Sequence, residues 1–208
     1  MWPESDKTHE LLDGAREGDA EAVNRLWERH REALRRMVEM RMDRALERRV
    51  DASDVVQDVL LEANRRLSDY LQHPALPFHL WLRQLAKDRI IDLHRRHRVA
   101  AKRSLDREQP LAAQVRLDQS TMDLAAQLCD REMTPAEAAT WRELERRFQA
   151  AIEELDDIDR EVILMRHFEQ LTNSEVAAAL TLSEPAASMR YLRAMRRLRA
   201  LLGSEDDQ

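Results

Sequence analysis

Apolar positions along this chain recur every three or four residues and never alternate with period two, so the pattern predicts helices and no strands. A first short helix is expected from about Thr8 to Glu17, stopped by Gly18. Asp19 then caps a long helix reaching about Arg48, with Ala22, Val23, Leu26, Leu34, Met37 and Val38 as its inward positions. Asp51 reads as the cap of a third helix, whose stripe is Val55, Val56, Val59, Leu60, Ala63 and Leu67. Two prolines in His73-Pro74-Ala75-Leu76-Pro77 end it. A fourth helix follows, with Phe78, Trp81, Leu82, Leu85, Ile90 and Leu93 turned inward.

The periodicity fades from Ser104 to Met133, which reads as a linker holding a short helix near Asp118–Cys129. Thr134-Pro135-Ala136-Glu137 restarts the helical pattern with a Thr cap, Pro at the first position and Glu at the third. Three more helices fit within Leu155–Leu202. The first begins near Asp156 and buries Ile158, Val162, Ile163, Met165 and Phe168. The second opens on the capping box Thr172-Asn173-Ser174-Glu175 and buries Val176, Ala177 and Leu180. After Thr181-Leu182-Ser183, the third buries Ala187, Tyr191, Ala194 and Leu198. The expected fold is all-α, with two small helical domains at 8–103 and 134–203 joined by the linker 104–133.

Composition agrees. Of 208 residues 36% are charged and only 3 are Gly, which suits amphipathic helices. No apolar run approaches the roughly 20 residues of a membrane span, and the acidic start is unlike a secretion signal, so a cytoplasmic protein without membrane contact is expected. The single cysteine, Cys129, excludes an internal disulfide or a cysteine metal cluster. His94 and His97 are spaced like a metal pair but lack further ligands in the pattern, so no metal and no cofactor are expected. There is no phosphate-cradling Gly-rich loop, nucleophile elbow or HExxH, so no catalytic residues are assigned and the chain is not read as an enzyme.

The net charge of −6 would argue against nucleic acid if charge were spread evenly, but it is not. Arg83, Lys87, Arg89, Arg95, Arg96, Arg98, Lys102 and Arg103 face only Asp88 and Asp92 within 83–103. Arg190, Arg193, Arg196, Arg197 and Arg199 stand in a stretch with no acid. Two basic islands in an acidic chain predict two separate phosphate contacts. An Arg-rich helix after a short helix and a tight turn is what major-groove docking requires. The inward stripe leaves Ser188, Met189, Leu192 and Arg193 as candidates for base edges, and Arg190, Arg196 and Arg197 for phosphates.

The run Leu171-Thr172-Asn173-Ser174-Glu175-Val176-Ala177-Ala178-Ala179-Leu180, followed by Glu184 and Arg190-Tyr191-Leu192-Arg193-Ala194, resembles region 4 of bacterial sigma factors of the extracytoplasmic-function group. The family pattern is approximately LTxxEIAxxLG…EGTVKSRLHRAxxLR. Here Thr181 stands where Gly is usual, and Pro185-Ala186-Ala187-Ser188-Met189 replaces G-T-V-K-S. Asp51-Ala52-Ser53-Asp54-Val55-Val56-Gln57-Asp58-Val59-Leu60-Leu61 is similar to region 2.2, approximately DAEDLVQETFL. Residues 78–92 resemble regions 2.3 and 2.4, typically FxxWLxxIAxNxxxD, with Asp88 in place of the common Asn.

The resemblance implies a sigma factor that binds core RNA polymerase and directs promoter recognition. It implies that Asp54, Gln57, Asp58 and Leu61 meet the polymerase β′ coiled-coil, and that the β flap and an anti-sigma factor are further partners. These four residues share one helix face, suited to a basic and partly apolar partner. The family's −10 role falls to the loop 70–77, with Gln72 and His73 as readers, and to the basic fourth helix with Arg83, Lys87, Arg89, Arg95 and Arg96. Phe78 and Trp81 read as core residues before stacking platforms, and Asp88 as a variant base contact or a partner of Arg83 or Arg95. The rival readings are an autonomous helix-turn-helix regulator that binds duplex DNA without polymerase, and a helical adaptor whose arginines are simply solvated.

Overall fold

The computed structural model describes residues 2–42, 44–103 and 138–203. All regular structure among them is helical. The chain divides into two compact units, Met1–Ala113 and Gln114–Gln208. The linker 104–133, its expected helix and the start at Thr134–Glu137 lie outside the described residues.

The first unit is built on α1 (Ser5–Arg16), α2 (Ala20–Arg41), α3 (Arg44–Glu47), α4 (Ala52–Gln72) and α5 (Phe78–Arg103). Helices α2, α4 and α5 pack on one another, and α1 lies against α2 and α4. Helix starts follow from short-range chemistry. The Asp19 carboxylate accepts from the Glu21 amide, and the Asp51 carboxylate accepts from the Ser53 amide at 2.7 Å, which holds its pKa below the usual value. Gly18, at φ +84°, makes the left-handed turn between α1 and α2. A Cβ on Gly14 would come within 2.8 Å of the Ala22 methyl, so that glycine permits the close approach of the same two helices.

The expected apolar stripes of α4 and α5 form the core, joined by Leu26, Trp27, Leu34, Met37 and Val38 from α2. One expectation fails: the second helix does not continue to Arg48. Met42 is extended (ψ 129°), and the chain restarts as the short α3. The break lets Met42 and Leu46, both buried, join the core beside α5, which an unbroken α2 would have spaced along its own axis. Sequence reasoning also missed His30. It is buried, with its ring edge on Phe78 (5.0 Å between centroids) and Nε2 3.3 Å from the Thr8 hydroxyl.

The second unit contains α6 (Ala138–Glu153), α7 (Asp157–Ile163), a π-helical turn (Leu164–Phe168), α8 (Asn173–Leu180) and α9 (Glu184–Gly203). Helix α9 packs against α6, α7 and α8 around Phe148, Ile152, Val162, Ile163, Met165, Val176, Ala187, Ala194 and Leu198. Asp156 caps α7 through the amides of Ile158 and Asp159, which lowers its pKa, and Thr172 and Glu175 form the expected reciprocal box. Four inward expectations are corrected, Tyr191 among them, which is half-buried. Ile158 is 42% exposed, because the first turn of α7 turns its side chain outward. Phe168 and Leu180 are half-buried. The π turn widens the helix after Ile163, so that Leu164 and Met165 are buried together while Phe168 is carried aside.

Burial depresses the His30 pKa to about 3, with the nearby charges of His79 and Arg29 acting in the same direction. Unfolded, the same imidazole titrates near 6.5, so the unfolded chain takes up the proton first and stability falls as pH drops below about 6.5. Between pH 7 and pH 5 the loss from this group is about 2 kcal/mol. The capping carboxylates Asp51 and Asp156 have lowered pKa values, so their contribution is lost only in more acidic solution. Urea unfolding at the two pH values should therefore show a smaller pH-dependent loss for His30→Gln than for the wild type; equal losses would refute the burial argument. Thr181 closes α8 in the left-handed region (φ 55°, ψ 43°), which costs a side chain with a Cβ. Thr181→Gly should raise stability by about 0.5–1 kcal/mol in thermal unfolding, and a lowered melting temperature would contradict this.

Candidate functional site

Helix α4 presents Asp54, Gln57, Asp58 and Leu61 together on its exposed face, while Val55, Val56, Val59 and Leu60 occupy the opposite side. Leu61 is 52% exposed, an apolar side chain with no place in the core. Asp58 is not a free acid. The Arg89 guanidinium of α5 donates to its carboxylate, joining the α4 face to the basic helix. Nothing in the spacing of either segment signalled that pair, because its partners are 31 residues apart.

The loop between α4 and α5 is anchored by the Tyr70 hydroxyl, which donates to the Leu76 carbonyl at 3.0 Å. Gln72 and His73 are exposed at its start. Phe78 is buried among Trp27, His30, Tyr70 and Trp81, so it packs as expected. Trp81 is half-buried and stacks on the Tyr70 ring at 4.6 Å.

Along α5 the expected basic track is only partly at the surface. Arg83 is corrected: it is 3% exposed, on the inward side of the helix next to Leu82, and is not presented to a phosphate. Lys87 and Arg89 are half-buried. Arg95 and Arg96 are exposed, and Arg95 pairs at 3.0 Å with Asp92, not with Asp88. Asp88 itself is exposed.

In the second unit the helix-turn-helix is α8, the turn 181–183 and α9. Asn173 of α8 donates from its amide to the Glu184 carbonyl at 3.0 Å, and Ser183 caps α9 through the Ala186 amide at 3.3 Å. Three arginines lock the frame. Arg160 donates to the carbonyls of Ile152, Glu153 and Leu155 at 2.8–3.2 Å, closing the C-terminal end of α6. Arg166 donates to the Leu171 carbonyl at 2.7 Å and lies over the Tyr191 ring at 5.6 Å. Beside it the His167 ring meets the Tyr191 hydroxyl at 2.8 Å; burial lowers the His167 pKa and raises that of Tyr191.

Arg190 is the third, and it corrects the expected phosphate set. It donates to the buried Asp159 carboxylate at 2.9 Å and lies 3.8 Å from Asp156, tying α9 to the start of α7. The remaining candidates Ser188, Met189, Leu192, Arg193, Arg196 and Arg197 are all exposed. Met189, Leu192, Arg193 and Arg196 stand at spacings of three, four and seven, which forms one outward stripe. This side of α9 therefore carries two exposed apolar side chains and three exposed guanidinium groups, with no acid on the helix after Glu184.

Among the described residues no helix is long and apolar enough to cross a membrane. Residues 26–99 match the family described as Sigma-70 region 2, and residues 145–198 match Sigma-70, region 4. The RNA polymerase sigma factor CnrH of Cupriavidus metallidurans is 30% identical over 158 residues, 76% of each chain. The solved structure of CnrH in complex with the cytosolic domain of CnrY is similar in fold, with a TM-score of 0.58 at 24% identity over 98% of this chain and 100% of that one. On these two matched segments, in the order that the two helical units require, the chain belongs to the sigma-70 family and is an RNA polymerase sigma factor of the extracytoplasmic-function type.

Proposed function

We propose that the two units divide the work of this sigma factor as follows. The α4 face of Asp54, Gln57, Asp58 and Leu61 grips the β′ coiled-coil of core polymerase. The loop with Gln72 and His73, together with Lys87, Arg89, Arg95 and Arg96, holds the opened −10 strand. Helix α9 enters the −35 major groove, with Ser188, Met189, Leu192 and Arg193 at base edges and Arg196 and Arg197 at phosphates. The second unit also meets the β flap, and residues 104–133 connect the two contacts. The protein works in the cytoplasm beside the polymerase and carries no catalytic chemistry of its own. An anti-sigma protein is a further proposed partner, which the complex of CnrH with the cytosolic domain of CnrY supports.

The observation that carries this reading is the sorting of arginines in the second unit. Arg160, Arg166 and Arg190 are bound within the fold, while Arg193, Arg196 and Arg197 are left on the outward side of a capped recognition helix. A merely solvated basic face would need no such division.

Two experiments test it. Leu61→Asp, competed against an unrelated sigma factor for core polymerase, should bind at least about tenfold more weakly, because a buried Leu contact is worth about 1.5–3 kcal/mol. Undiminished competition would remove α4 as the docking face. The arginines should separate by readout. Arg193→Ala should alter the promoter profile of the holoenzyme in transcription of pooled DNA while leaving the unfolding midpoint unchanged. Arg190→Ala should cost about 2–3 kcal/mol of stability by leaving the Asp159 carboxylate buried without its cation. A folded, promoter-neutral Arg193→Ala protein would contradict the orientation given to α9.

A further inference from the structure

We propose that Met189 and Leu192 read thymine methyl groups, so that the −35 element of this sigma factor is specified in part by apolar contact. The inference rests on the reading of α9 as the major-groove helix.

The two side chains are 59% and 45% exposed, among the most exposed large apolar groups of the described residues. They are three residues apart on α9 and so project from the same face as Arg193 and Arg196. The inward side of the helix is already filled by Ala187, Ala194 and Leu198, so neither side chain is a displaced core residue. Where the family pattern has Ser and His at these two positions, this chain has Met and Leu, and Ser188 stands where Lys is usual. At Met189 and Leu192 the helix thus carries side chains that can neither donate nor accept hydrogen bonds usefully, while Ser188 keeps a hydroxyl.

A major groove presents donors, acceptors and one apolar feature, the C5 methyl of thymine. Placing a thioether and an isobutyl group against donors and acceptors alone would strip water from those base edges without replacing the lost hydrogen bonds. Against thymine methyls the same burial is favourable. A protein occupant is the less suitable one. Only two apolar side chains stand in this stripe, flanked by Arg193, Arg196 and Arg197 with no acid on the helix after Glu184, a surface complementary to a polyanion.

The test uses holoenzyme assembled from core polymerase and the full chain, and promoter duplexes with a randomised −35 segment. The wild type should enrich thymine at two positions close together, and Met189→Ala/Leu192→Ala should lose that enrichment while keeping any preference set by Arg193. Both substitutions lie on the solvent side of a helix, where Ala is well tolerated. In a duplex carrying the enriched sequence, replacing each of those thymines with deoxyuridine removes only the methyl. Wild-type occupancy should fall about three- to fivefold per methyl, as expected for burying one such group, and the double variant should be indifferent. Enrichment without thymine, or equal binding of the uracil duplex, overturns the inference while leaving the major-groove reading intact. Selection of no −35 preference at all overturns that underlying reading. If the double variant loses core polymerase and not DNA discrimination, the pair is a protein contact and the inference is likewise wrong.

Discussion

A guanidinium withdrawn from water must find acceptors, and the second unit is organised around meeting that demand. Arg160 takes the carbonyls at the end of α6, Arg147 donates to the Leu202 carbonyl near the end of α9, and Arg190 takes the buried carboxylate of Asp159. Each bond fixes one helix against another, so α9 is held at its outer side and its C-terminal end as well as along its apolar stripe. Arg193, Arg196 and Arg197 of α9 remain exposed. A net acidic chain can in this way present a locally cationic surface, because acids serve as caps and internal pairs at α7 and α9 carries none beyond Glu184 in its first turn.

The first unit applies the same constraint differently. Its two candidate surfaces, the α4 face and the α5 track, meet at the Asp58–Arg89 pair. If the two faces act as proposed, a basic partner helix that engages Asp58 would compete with Arg89 for one carboxylate, and DNA phosphate would compete with Asp58 for one guanidinium. The surfaces are therefore electrostatically linked, and each is better described by its balance of pairs than by its count of basic residues.

Much of this was legible in the sequence, for identifiable reasons. Asp19, Asp51, Asp156 and Thr172 announce helix starts because a cap is a bond spanning two or three residues, and all four accept the amides expected of them. The stripes of α4 and α5 and the break at Pro74 and Pro77 follow equally local rules. What escaped depends on distance in the chain. Arg190 and Arg83 look like surface arginines until Asp159 and the core beside Leu82 are placed against them. The break at Met42 carries neither Gly nor Pro; it exists because two apolar side chains gain burial there. The π turn likewise has no local signature, since it answers the packing of Leu164 and Met165 together. Thr181 was the intermediate case: the missing glycine marked the position, and the left-handed backbone was found there.

Two separately cored helical units are proposed to serve a single polymerase, one gripping it and opening DNA, the other reading duplex upstream. Run-off transcription from a pool of genomic fragments, with purified core polymerase plus this protein, tests it most directly. Discrete transcripts absent with core alone should appear, and their start sites should share two sequence elements at constant spacing. Transcripts no different from those of core polymerase, or sequence-specific binding of fragments by the protein without polymerase, would contradict it.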